Sequence, residues 1–146
     1  MRELGRRSRG TVNRPFMARA GAVGGGGRKD VVHNGEFSLS AFWTLGDGWT
    51  IGSGLATSDG SQAAASNLTQ TTDELVAGAK YTVQFTITAI SAGAIIALIG
   101  DTAGTSRTTV GTWIQEMTHT GAGLKAILQA DATFVGSVDN LKVLAY

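Results

Sequence analysis

Residues 81–89 read YTVQFTITA. Tyr81, Val83, Phe85, Ile87 and Ala89 share one parity, and Thr82, Gln84, Thr86 and Thr88 share the other. Wound as a helix, these apolar residues would scatter around the circumference; extended, they form one apolar face. The segment is therefore a strand with one side buried, and the remainder of the chain repeats its character. Further strands are expected over Val31–Phe37, Gly48–Ile51, Leu55–Ser58, Ala63–Thr71, Ala94–Ile99, Thr112–His119, Leu124–Ala130 and Ser137–Leu144. Asp59-Gly60, Ala77-Gly78, Gly100-Asp101 and Gly121-Ala122-Gly123 lie between them as turns. No stretch carries a helical apolar stripe of useful length. The expectation is an all-β antiparallel sandwich of jelly-roll type, preceded by an extended arm.

Composition agrees. The 146 residues include 21 glycines and one proline, with only 16% charged residues, a mixture suited to short strands joined by glycine turns. The absence of cysteine rules out disulfides and thiolate metal sites. The longest apolar run, Ala94 to Ile99, is too short to cross a membrane, so no membrane partner is expected. Arg6-Arg7 is followed by no apolar segment of the kind an export signal carries.

The net charge of +1 conceals a division. Residues 1–29 hold eight Lys and Arg against Glu3, a charge of +7, while residues 30–146 hold four against ten carboxylates, a charge of −6. The chain thus reads as a basic Gly/Arg-rich arm, 1–29, on an acidic body, 30–146. The arm lacks the apolar surface to offset its own ordering entropy. Its expected role is docking to a partner, with Phe16 and Met17 as apolar anchors and Arg6, Arg7, Arg9, Arg14 and Arg19 pairing with acidic groups. Nucleic acid is a poor partner, because the acidic body repels a polyanion and the arm lacks interleaved aromatics.

Catalytic patterns are missing. There is no Gly-x-Ser-x-Gly elbow and no phosphate loop after Gly24–Gly27, and His33 and His119 lack metal-ligand spacing and read as surface or edge residues. The chain is read as a non-enzyme without a cofactor.

The order NGEF (34–37), Trp43, GDGWTIGSGLA (46–56), SNLTQ (66–70), AGAKYTVQFTI (77–87), GTWIQEMTHTGAG (111–123) and GSVDNLKVLAY (136–146) resembles the carbohydrate-binding-module-like jelly rolls appended to glycan-degrading enzymes. It resembles more closely the versions found in tailed-phage virion proteins. The resemblance covers about residues 32–146 and leaves the arm aside. It implies that Asn34–Phe37 lies beside Val138–Leu141 and that Trp49 faces the core. It also implies a virion structural protein on the particle surface, as a capsid decoration or tail component. Its partners would be capsid or tail subunits and further copies of itself, and a host-surface or plant-type glycan is the alternative. For a glycan, the candidate residues are Trp43, which is either a structural lid over the sandwich edge or an exposed platform, and Gln84 on the polar face of 81–89. Resembling modules hold a structural calcium through acidic residues in these first and last segments; here Glu36 and Asp139 remain, but Ser38 stands where a second acidic residue is usual. The expectation is that Asp139 and Asn140 cap a turn and that no metal is bound.

Overall fold

The computed structural model describes residues 29–146. The expected docking residues Arg6, Arg7, Arg9, Arg14, Phe16, Met17 and Arg19 lie outside the described residues. The described residues form ten strands and no helix: β1 (Thr44–Leu45), β2 (Trp49–Gly52), β3 (Leu55–Asp59), β4 (Ser66–Thr71), β5 (Lys80–Ala92), β6 (Ile95–Ile99), β7 (Thr102–Ala103), β8 (Gly111–Thr118), β9 (Lys125–Ala130) and β10 (Val135–Ala145). They assemble into two five-stranded antiparallel sheets, ordered β1-β4-β9-β6-β7 and β2-β3-β10-β5-β8. This is the all-β antiparallel sandwich that the alternation at 81–89 called for.

The pairing explains the sequence pattern strand by strand. Tyr81, Val83, Phe85 and Ile87 of β5 are buried and face the other sheet. β5 lies between β8 and β10, with Phe85 opposite Trp113 and Val83 opposite Val143. On the facing sheet, Leu68 of β4, Leu128 of β9 and Ile95, Ala97 and Ile99 of β6 close the core. Buried polar groups are mostly satisfied, as the desolvation cost of an orphan requires. The Tyr81 hydroxyl accepts from Val76 N–H (2.8 Å) and donates to Glu74 O (3.3 Å). Gln62 donates to Asp131 O (3.0 Å) and Phe134 O (2.9 Å) and accepts from the Ser58 hydroxyl.

The opening and closing segments meet as expected. Val31 N–H donates to Val143 O (2.9 Å) and Leu141 N–H to Gly35 O (2.9 Å). A Cβ on Gly35 would lie 1.9 Å from Leu141 O, so this close approach admits glycine alone. The Asp30 carboxylate receives Val32 N–H and Val143 N–H, and Lys29 pairs with Glu74, so the body takes hold of the chain from Lys29 onward.

Three expectations are corrected. Val31–Phe37 is not a continuous strand: Asn34 and Phe37 take φ of 56° and 53°, and the chain turns between them with Phe37 N–H on Asn34 O. The expected strand over Ala63–Thr71 begins only at Ser66, because Gln62 turns inward to bind the loop carbonyls. His119 is buried rather than at the surface. Its N–H and C=O continue the β5–β8 pairing onto Ala79 and Gly78, which draws its ring in against Gly100.

Candidate functional site

The first sheet ends in the two-residue strand β1, paired Thr44 to Thr69 and Leu45 to Leu68. After it the chain turns at Gly46, whose N–H donates to Asn67 O (2.8 Å) and whose O accepts from Trp49 N–H (3.2 Å). A Cβ on Gly46 would meet Ser66 Oγ at 2.5 Å and Asn67 O at 2.7 Å, so only glycine lets this turn lie flat on β4. Ser66 Oγ donates to Asp47 O (2.7 Å), and Trp49 Nε1 donates to Ser66 O (3.2 Å) from beneath. The short strand, the turn and the 62–67 segment enclose an open groove of about 450 Å³. That volume lies within the range of small-ligand sites.

The groove is lined by Leu45 and Ala63–Ala65 together with Thr44, Asp47, Asn67 and Thr69. Asn67 Oδ1 accepts from Gln129 Nε2 (3.0 Å), which fixes the amide and directs its own donors elsewhere. The Thr44 and Thr69 hydroxyls and the Asp47 carboxylate have no hydrogen-bond partner among the described residues. The result is an open set of hydroxyl and carboxylate groups beside small apolar side chains, with the Asn67 amide held by Gln129. Asp47 is the single carboxylate among the lining residues. The arrangement is suited to hold a polyhydroxylated ligand.

A second hollow of about 400 Å³ lies against the other sheet, between Thr57–Asp59, Ala89–Ser91 and Val135–Ser137. At its edge, Asp59 is held below the ordinary carboxylate range, by the Ser61 hydroxyl first and then by Ser61 N–H (2.9 Å).

The tryptophans all pack on the core. Trp43 is 8% exposed, stacks on Phe37 (5.2 Å between centroids) and donates from Nε1 to Asn34 O (3.0 Å). It belongs to the core and offers no ring face, which selects the structural role over the exposed platform. Trp49 is core as expected, packed against Phe134. Trp113 packs on the core with the Arg107 guanidinium 4.6 Å over its ring. Gln84 sits on the outer face of β5, between Lys142 and Ile114, on the sheet that does not carry the groove. Trp43 and Gln84 therefore do not form one site.

Among the described residues two aromatics are exposed: Tyr146 at the end of the chain and, near the groove, Phe42, 64% exposed, with its ring 5.4 Å from that of His33. Sequence reasoning passed over it because Trp43, the larger ring, is its neighbour. The relevant signal was the run Ala41-Phe42-Trp43-Thr44 at a loop-to-strand junction, where only one of two adjacent aromatics can face inward. At the other end of the chain, Asp139 accepts from Asn140 N–H (2.7 Å), and Asn140 takes φ 53° where β10 slips register. No group of three His, Cys, Asp or Glu able to hold a metal gathers among the described residues.

No protein-family model matches the chain, and no curated protein matches it. Solved structures do. The chain is similar to the enzymatically active domain of bacteriophage CBA120 tailspike protein 4, with 17% identity and a TM-score of 0.54. That match covers 80% of this chain and 21% of the other, so this chain spans about a fifth of the tailspike chain's length. It is also similar to TmCBM61, solved in complex with β-1,4-galactotriose, with 19% identity, a TM-score of 0.51, 81% of this chain covered and 99% of that one. At these identities the likeness is one of fold. The described residues form a carbohydrate-binding-module-like β-sandwich.

Proposed function

We propose that this chain is a non-catalytic module that recognises glycans through the groove at the β1 edge. The observation that carries the reading is the groove itself. Hydroxyls of Thr44 and Thr69, the amide of Asn67 and one carboxylate, Asp47, line it together with small apolar side chains. The sandwich shared with a galactotriose-binding module supports the same reading at the level of fold. The test is calorimetric titration of the full chain with neutral trisaccharides: β-1,4-galactotriose, β-1,4-mannotriose and cellotriose. Millimolar or tighter binding of at least one, weakened by Asn67→Ala and Asp47→Ala, is the expected result. No binding to any of them refutes the reading.

A second reading, compatible with the first, concerns where the module is displayed. The division of charge, +7 over residues 1–29 against −6 over residues 30–146, favours an arm that docks elsewhere while the body faces outward. We infer a structural protein on the surface of a tailed-phage virion, a head decoration protein rather than a tail or fibre component, laced to capsid subunits by its arm. Arg6, Arg7, Arg9, Arg14 and Arg19 pair with acidic groups of the lattice, and Phe16 and Met17 insert beside them. A chain lacking residues 1–28, which keeps the Lys29 and Asp30 contacts, is expected to fold and to be lost from particles. Unchanged incorporation overturns this placement.

A further inference from the structure

Two phenylalanines of the 34–43 loop adopt left-handed backbone, Phe37 at φ 53° and Phe42 at φ 75°. A bulky side chain is strained in this region. For Phe37 the compensation is visible, since it is fully buried against Trp43. Phe42 has none of comparable size. It is the third residue of a turn closed by Trp43 N–H on Ser40 O (3.1 Å), a position that in type II turns belongs to glycine or asparagine. An exposed aromatic there opposes both local propensity and burial, a conflict that concentrates at functional sites.

The mount is nonetheless firm. The Asn34 amide donates to Ala41 O (3.2 Å) and Leu39 O, and its Oδ1 accepts from Ser38 N–H (3.0 Å) and Ser38 Oγ (2.9 Å). His33, which backs the Phe42 ring, is clamped by Gln70, itself 2% exposed: His33 N–H donates to Gln70 Oε1 and Gln70 Nε2 donates to His33 O, both at 2.7 Å. Thr44, on the rim of the groove, follows Phe42 by two residues, at most about 7 Å along the chain.

We propose that Phe42, backed by His33, is a stacking platform for one pyranose ring of a neutral oligosaccharide whose adjoining units lie in the Thr44–Asn67 groove. The proposal rests on the glycan reading and names its second contact and its ligand class. A pyranose presents a flat apolar C–H face that matches an exposed ring, and its rim hydroxyls match the hydroxyl-lined edge two residues on. Uncharged sugars are selected because Asp47 is the charged lining residue of the groove and the body carries −6; uronates and sialosides are repelled. The patch is also too small for a protein partner. Phe42 and Leu39, each 64% exposed, offer on the order of 300 Å² against the roughly 800 Å² a stable partner covers.

The experiment compares wild type, Phe42→Gly and Phe42→Trp in calorimetric titration with the neutral trisaccharides named above and with trigalacturonate, alongside thermal melts. The expected result is about tenfold weaker binding of the neutral ligand by Phe42→Gly, with an unchanged or higher melting temperature because glycine relieves the turn. Phe42→Trp retains binding, and trigalacturonate binds to none of the three. If wild type binds and Phe42→Gly binds equally well, the platform is refuted while the groove stands. If Phe42→Gly melts several degrees lower, the ring is structural and the platform is likewise refuted. If wild type binds no neutral trisaccharide, the glycan reading itself fails and takes the platform with it. Preference for trigalacturonate overturns the ligand class.

Discussion

Replacing Trp43 by alanine separates a core tryptophan from a ligand platform, because the two roles predict opposite results. The ring is 8% exposed and packs on Phe37, and its Nε1 donates to Asn34 O at 3.0 Å. Truncating a buried Trp to Ala costs about 3–5 kcal/mol through lost transfer energy and the cavity left behind. About 1 kcal/mol of this is the hydrogen bond, since Asn34 O keeps a second donor in Phe37 N–H. Trp43→Phe retains most of the ring and loses the bond, for a cost of about 1–2 kcal/mol. A domain of this size is stable by only about 5–15 kcal/mol, so Trp43→Ala removes a large share. Urea denaturation followed by far-UV circular dichroism reads this directly: the midpoint of Trp43→Ala falls by about 2 M, and that of Trp43→Phe by less than half as much. A loss below about 1 kcal/mol in Trp43→Ala refutes the core assignment and returns Trp43 to the surface.

Gly35→Ala places a Cβ 1.9 Å from Leu141 O, and is expected to separate the opening segment from β10 and leave little folded protein at 37 °C, as measured by soluble yield and thermal melt. Gln70→Ala leaves the His33 N–H and C=O without their partner and is expected to cost about 2 kcal/mol in urea denaturation while weakening glycan binding through the misplaced His33–Phe42 pair. Asp59 carries a depressed carboxyl, so its contribution is complete above the usual carboxylate value near 3.8 and is lost as pH falls through its lower folded value. Wild type should therefore exceed Asp59→Asn in melting temperature at pH 6, with the difference shrinking as the carboxyl protonates in acid; equal melting temperatures at pH 6 contradict this.

The period-two pattern at 81–89 was sufficient for the class of fold, because alternation on a pleated strand is a local property of the backbone. Glycine at 60, 78 and 100 marked turns for the same reason: each takes a positive φ that its neighbours avoid. The association of the NGEF segment with the closing strand was also legible, through resemblance, and Gly35 against Leu141 is its physical basis. The two-residue strands β1 and β7 were not legible, since two residues carry no period.

The candidate site lay beyond the sequence for a related reason. Trp43 and Phe42 are adjacent, and which one turns inward depends on the positive φ at Phe42 and on a bond from Trp43 Nε1 to Asn34 O, nine residues away. The groove needs Thr44 beside Thr69 and the Asp47 backbone over Ser66, contacts between segments about 20 residues apart. Gln84, on the clearest polar face, sits on the other sheet from the groove, and only the strand order shows it. Local periodicity determined that the described residues form a β-sandwich; long-range register and side-chain burial decided which of two adjacent aromatics meets solvent and where a groove opens.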